Sequence, residues 1–425
     1  MKKNSIINAA WMMSEKIVTL FGLFFVTSFV AKYIGPFRFG QLALAIAIFQ
    51  VIQVIAQLGC DNIIFKRVSE KVLSGLKLIY STFLIRGGIY FILSFFVLLF
   101  FYNKSDVINY VFLISVCLAC FFTSMDVFTI YNDATLNSKF NTIANVIGLL
   151  IGLILRYVIA FFEWPIYFLA IPIVLTTLIP FLIRLVYTPK VYVVKGKNKW
   201  RYNKYLFTTG IPLVISTVSM TLYSRINQFT LSYFDGSYEL GIYSVALTLG
   251  TAWVFIGNAL AISFLSKIYS EKDDLKAQDK TSGLLSFVFI ILSVFPLFFY
   301  FFGKKVILLL YGEQYVNSYG IIIILCISTV ITAMGFISNR YIVRLSGYKY
   351  LSKKTLLVLG LSIPISITMV YFFGVYGAAY SVLIVEFLSL TIMNYFFNHG
   401  VILKVHRGAF NLKKNRLAEI NGKSY

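Results

Sequence analysis

The chain has 425 residues, 59% hydrophobic and only 13% charged, which leaves too few polar residues to cover a soluble globule. It reads as a polytopic membrane protein. A net charge of +22 would suit a nucleic-acid binder, but 42 Phe and 29 Tyr in so apolar a chain suit lipid-facing surfaces and interfacial belts instead.

The start, Met1-Lys2-Lys3-Asn4, is basic, yet the apolar segment behind it carries Glu15 and Lys16 and lacks a small-residue cleavage site. A retained first span is expected there, not a signal peptide. Stretches long enough to cross about 30 Å of hydrocarbon number about twelve. They lie at 6–33, 38–60, 76–101, 107–131, 140–162, 165–187, 205–234, 239–265, 281–302, 317–343, 352–373 and 376–399. The expected fold class is an all-α integral membrane protein.

The connections sort by charge. One side holds Lys2 and Lys3, Lys66 to Lys77, Lys139, Lys190 to Lys204, Lys267 to Lys280, Arg344 to Lys354 and Lys404 to Lys423. The other has only Lys32, Arg38, Lys104, Lys304 and Lys305. This bias predicts cytoplasmic termini and explains most of the +22 as topology, with anionic lipid head groups as secondary contacts. The basic link between the sixth and seventh spans divides the chain into a lobe at 1–190, a linker at 191–204, a lobe at 205–400 and a basic cytoplasmic tail at 401–425.

One hairpin is written twice. Ile34-Gly35-Pro36-Phe37-Arg38-Phe39-Gly40 aligns without a gap on Asp235-Gly236-Ser237-Tyr238-Glu239-Leu240-Gly241, and the register continues inward to pair Gln50 with Thr251 and Gln57 with Asn258. Two homologous lobes are the expected origin, an arrangement that in transporters commonly flanks a binding site.

Ionisable residues within spans are expensive and mark cavities, partners or routes to the interface. Lys16, Arg86 and Arg225 lie deep, as do Glu15 and Glu386, whereas Asp126 is nearer the inner surface and Asp61 is expected at it. Arg184 and Arg340 lie near cytoplasmic ends, where snorkelling accounts for them. Arg184→Ala is accordingly expected to be tolerated. Neutral polar stripes back these charges: Gln50, Gln53 and Gln57 at i, i+3 and i+7; Thr217, Thr221, Ser224 and Gln228; Thr248, Thr251 and Asn258. They either glue helices together or line a shared hydrophilic cavity, and their place on the first two spans of each lobe favours the cavity. Gln, Asn and Thr suit sugar hydroxyls, and Arg and Lys suit phosphate. Cys117-Leu-Ala-Cys120 has redox-like spacing but sits inside a span without a second pair, so these are packing residues.

The chain resembles the polysaccharide (O-antigen, Wzx-type) flippases of the multidrug/oligosaccharidyl-lipid/polysaccharide (MOP) exporter superfamily. The resemblance rests on Ile34-Gly35 to Phe39-Gly40, Leu58-Gly59-Cys60-Asp61-Asn62, Leu310-Tyr311-Gly312-Glu313-Gln314-Tyr315 and Tyr371-Phe372-Phe373-Gly374-Val375-Tyr376-Gly377-Ala378-Ala379, in order on a twelve-span frame. It implies a MATE-like fold of two six-helix lobes in the bacterial inner membrane. It also implies transfer of an undecaprenyl-diphosphate-linked oligosaccharide, such as an O-antigen or capsule repeat unit, from the cytoplasmic to the outer leaflet by alternating access. By the same resemblance Arg86, Arg225 and, more weakly, Lys16 would contact diphosphate or acidic sugars. Glu15, Glu386 and Asp126 would be candidates for coupling to H+ or Na+. A polysaccharide polymerase and a chain-length regulator are candidate partners, alongside membrane lipids; no cofactor, metal site or nucleic acid is expected.

Two other classes compete. An ion-coupled multidrug or metabolite antiporter would share the fold but prefer acids and aromatics for organic cations, and Arg86 and Arg225 disfavour such cargo. A membrane-embedded polymerase or ligase generally needs a sizeable outer loop, and the connections at 103–106, 163–165 and 235–238 leave no room for one.

Overall fold

The computed structural model describes residues 2–187 and 198–410, without the side chains at 2–10, 12–17, 19–21, 23, 25, 62, 198–209, 211–213 and 266. Among the described residues every regular element is helical. An apolar chain in lipid has no water with which to satisfy its backbone, and a helix satisfies it internally. The elements are α1 (Lys2–Gln57), α2 (Asp61–Glu70), α3 (Val72–Tyr102), α4 (Val107–Met125), α5 (Phe128–Ala134), α6 (Ser138–Phe161), α7 (Ala170–Tyr187), α8 (Asn198–Phe234), α9 (Gly236–Thr251), α10 (Val254–Tyr269), α11 (Asp274–Leu310), α12 (Ser318–Arg344), α13 (Tyr348–Leu390), α14 (Ile392–Tyr395) and α15 (Val401–Phe410).

By length and composition, nine described stretches suffice to cross a membrane. Grouped across their breaks, the elements make the twelve helices expected of the sequence. Two pairs of expected spans run together, α1 being interrupted only at Gly35 (φ 75°, ψ 167°) and α13 only at Gly374 (φ 55°, ψ −135°). Both glycines occupy backbone regions closed to most L-residues. Gly236, which aligns with Gly35, also has a positive φ of 83°. The repeat read in the sequence therefore reappears as a positive φ at the same aligned glycine.

The chain forms two compact units, Met1–Arg225 and Ile226–Tyr425, with the division inside α8. In the first unit, α6 and α7 approach closely. A Cβ at Gly148 would lie 2.5 Å from Pro180 Cδ, and one at Gly152 would overlap Thr176 Oγ1. This small-xxx-small pair lets two backbones meet where no hydrophobic force separates protein from lipid. Cys60, Ile63, Ile64, Val68, Met125, Val127, Phe128 and Phe181 of the same unit form a buried apolar cluster, and Cys60, Cys117, Cys120 and Cys326 are all free thiols.

In the second unit a core built on Leu284, Leu285, Val288, Ala333, Ile337 and Ile342 extends to Ile402, Val405 and Ala409 of α15. Residues 401–410, expected to belong to a polar tail, are thus a docked helix; 411–425 lie outside the described residues. Ser282 Oγ donates to Val405 O at 2.8 Å, and Ser286 Oγ bonds Ala409 O. His406 is buried between Ser338 Oγ (2.9 Å from Nε2) and Tyr395 OH (3.1 Å from Nδ1). Burial and the Lys354 charge push its imidazole down to about 4, so it is neutral at physiological pH.

Candidate functional site

The first unit holds a cavity of about 370 Å³ whose lining comes from five passes. Two breaks in helices deliver its carboxylates. At the end of α1, Leu58 and Gly59 adopt positive φ values of 53° and 57°, and after this corner Asp61 opens α2. At the end of α4, Asp126 leaves the helix (φ −79°, ψ 64°) before α5 begins. Intact helices supply the opposing guanidiniums: Arg86 from mid-α3 and Arg184 from α7, one turn after Pro180.

The four charges form two pairs. Arg86 Nη2 donates to Asp61 Oδ1 at 2.8 Å, and Arg184 Nη1 donates to Asp126 Oδ2, with Nη2 on Asn145 Oδ1. The first pair is uneven in depth, Arg86 being 1% exposed and Asp61 46%. In the second, both partners are deep, at 4% and 9%. Buried charges persist only when paired and hydrogen-bonded, and the charges among the described lining residues sum to zero.

Arg86 Nε, a donor, and Asp126 Oδ1, an acceptor, are buried and have no hydrogen-bond partner among the described residues. Three wall threonines turn their hydroxyl protons to their own helices. Thr123 donates to Ala119 O (2.9 Å), Thr176 to Pro172 O (2.6 Å) and Thr177 to Val174 O (3.1 Å). Their oxygens keep lone pairs with which to accept.

Three residues singled out by sequence, Gln57, Arg86 and Asp126, line this cavity. Gln50 is not in the lining and instead accepts from Arg225 Nη2. Gln53 is half-buried on the same helix, outside the lining. In the second unit Gln228 is buried, Asn258 is half-buried, and the Thr251 hydroxyl donates to Leu247 O at 2.7 Å within its own helix. Glu386 is half-buried, with Lys354 as a charged neighbour. The side chains of Glu15 and Lys16 lie outside the described ones.

Three expectations are corrected. Arg184 does not snorkel: its guanidinium is enclosed between Asp126 and Asn145, whereas Arg340 is exposed and lies over the Phe336 ring at 4.8 Å. Arg86 is not an uncompensated cation, because Asp61, itself 46% exposed, accepts a hydrogen bond from its guanidinium. This also removes Arg86 as an electrostatic reason to disfavour cationic cargo. Lys354, expected on a solvated connection, is buried with Nζ 3.0 Å from Asn339 Oδ1 and 2.8 Å from Asn394 Oδ1.

Sequence reasoning also missed a second-unit cluster in which Asn227 Oδ1 accepts from Ser366 Oγ and Ser381 Oγ, each at 2.6 Å. Ser and Asn within spans were the available signal, but the contacts join residues 139 and 154 positions apart. As for coupling, Asp126 already faces Arg184, and Glu386 has Lys354 beside it. A bound cation would compete with a resident one at either carboxylate.

The helical passes belong to a multi-pass membrane protein, and its fold is that of solved members of the MOP superfamily. An inward-facing multidrug resistance MATE family transporter of that superfamily superposes with a TM-score of 0.68 at 16% identity, over 96% of both chains. The lipid II flippase MurJ, in an inward closed conformation, superposes with a TM-score of 0.67 at 14% identity, over 95% of this chain and 90% of that one. A MOP superfamily transporter from Pyrococcus furiosus gives 0.59 at 13% identity, over 94% of both chains. These likenesses concern the fold.

Residues 5–265 match the family described as Polysaccharide biosynthesis protein, and the chain belongs to that family. A capsular polysaccharide biosynthesis protein, CapF of Staphylococcus aureus, is 26% identical over 255 residues. The match covers 58% of this chain and 64% of CapF, a little under two thirds of that protein's length.

Proposed function

We propose that the protein is a flippase that moves a lipid-linked oligosaccharide, an O-antigen or capsule repeat unit on undecaprenyl diphosphate, from the cytoplasmic to the outer leaflet of the bacterial cytoplasmic membrane by alternating access. The observation that carries this reading is membership of the polysaccharide biosynthesis family over residues 5–265, on a fold shared with a lipid II flippase. The polar cavity in the first unit supports it, because a hydroxylated head group needs hydrogen-bonding walls to leave water. With both termini cytoplasmic, as the loop charges favour, the basic connections face the leaflet where the cargo is made. Nothing in the reading requires this chain to make or break a covalent bond; polymerisation of the repeat units would fall to a separate enzyme.

Deletion and complementation test it. In a strain with no redundant flippase, loss of the gene should abolish surface polysaccharide and accumulate lipid-linked repeat units on the cytoplasmic leaflet, while drug susceptibility stays unchanged. Normal surface glycan without accumulation would overturn the transport reading, and hypersensitivity to organic cations would point to drug export.

A further inference from the structure

We infer that the first-unit cavity receives an uncharged, hydroxyl-rich sugar ring of the cargo and excludes its phosphate groups. The inference rests on the transport reading above and assigns one part of the cargo to one site.

Charge comes first. Arg86 and Arg184 would each attract phosphate if they stood alone, but Asp61 and Asp126 sit on them and line the same space. An incoming phosphate would approach two carboxylates as well as two guanidiniums, at positions already filled by the carboxylates. An ammonium group meets the mirror-image problem. Like-charge contact of this kind is a device of specificity, since it penalises a wrong ligand more than it helps a right one.

The free hydrogen-bonding capacity points the same way. Arg86 Nε offers a proton and Asp126 Oδ1 accepts one, and neither has a partner among the described residues. The Thr123, Thr176 and Thr177 oxygens add acceptors because their protons are committed to backbone carbonyls. A hydroxyl both donates and accepts, so a polyol can answer all of these, whereas a phosphate accepts only. A volume of about 370 Å³ lies within the usual size of small-molecule sites and leaves room for a sugar ring.

The test uses the full-length protein in lipid nanodiscs, titrated calorimetrically with two separate probes. One is the repeat-unit oligosaccharide released from the producing strain's own surface polysaccharide; the other is inorganic diphosphate. Wild type should bind the oligosaccharide and not diphosphate. Asp126→Asn and Asp61→Asn should each weaken oligosaccharide binding about tenfold or more, the loss expected for a charge-assisted hydrogen bond and its support. Asp61 is the more exposed carboxylate, so Asp61→Asn remains informative if Asp126→Asn fails to fold. Diphosphate binding to wild type, absence of oligosaccharide binding to wild type, or unchanged oligosaccharide affinity in both variants would each overturn the inference. Cargo accumulation in the deletion strain separates the two levels. If cargo accumulates while variant affinities are unchanged, only the sugar assignment falls; if it does not accumulate, the transport reading falls.

Discussion

Arg184 shows how far a residue's role depends on what it meets. Its position near the end of an apolar stretch fits snorkelling, but Asp126, 58 residues earlier, leaves its own helix to meet it. Removing one partner of a buried pair strands the other charge, at a cost of about 3–5 kcal/mol. Arg184→Ala should therefore lower the thermal unfolding midpoint in detergent sharply, while Arg340→Ala, at an exposed position, should barely move it. Equal effects would mean that the buried pair carries no weight. Arg86 and Asp126 were legible as candidates because an ionisable residue in an apolar run stands out in a single sequence. Their partners were not, since nothing local ties Asp61 to Arg86 or Asp126 to Arg184. On the polar surface, the hydrogen bond from Lys280 Nζ to Glu271 Oε2 (2.5 Å), helped by the Asp273 backbone N–H, holds the Glu271 carboxyl below its ordinary 4.5. A folded-state value below the unfolded one contributes stability above pH 4.5 that is lost as pH falls through the folded value. Wild type and Glu271→Gln should thus differ slightly in unfolding midpoint at neutral pH and converge in acid.

At the scale of elements, the interruptions matter more than the helices. A regular α1 or α4 would carry Asp61 and Asp126 along the helix; the Leu58-Gly59 corner and the break at Asp126 release them into the cavity. The repeated Gly35 and Gly236 were readable because a duplicated motif can be aligned with itself. The break at Asp126 carries no Gly or Pro and left no such mark. Gly35→Ala should cost about 1–3 kcal/mol, because φ 75° with ψ 167° is a region essentially confined to glycine, measured as a shift in chemical unfolding. Gly152→Val should do more than destabilise. By forcing α6 away from the Thr176 turn of α7, it moves a cavity wall, so oligosaccharide affinity should fall together with the unfolding midpoint. A variant stable at wild-type level with unchanged affinity would show that the seam tolerates bulk.

For the whole molecule, composition alone separated a polytopic membrane protein from a soluble or nucleic-acid-binding one, and short motifs on a twelve-span frame pointed to the family that residues 5–265 match. What sequence could not supply was compensation. Summed along the chain, the charges give +22, a number set by surface connections; summed around the cavity, they give two guanidiniums against two carboxylates. Loop charges are counted by position in sequence, but a pair balances only when long-range folding brings it together.

That balance has an electrical consequence. Each uncompensated charge moved through the full membrane potential exchanges about 2.3 kcal/mol with the field per 100 mV. Because the four charges of the described lining cancel, a change of access from one side to the other does no such work on them, and voltage should not act on the return of the empty protein through these four groups. Asp126→Asn leaves one positive charge behind. In vesicles held at defined potassium diffusion potentials, turnover by that variant should acquire a voltage dependence absent from the wild-type return step.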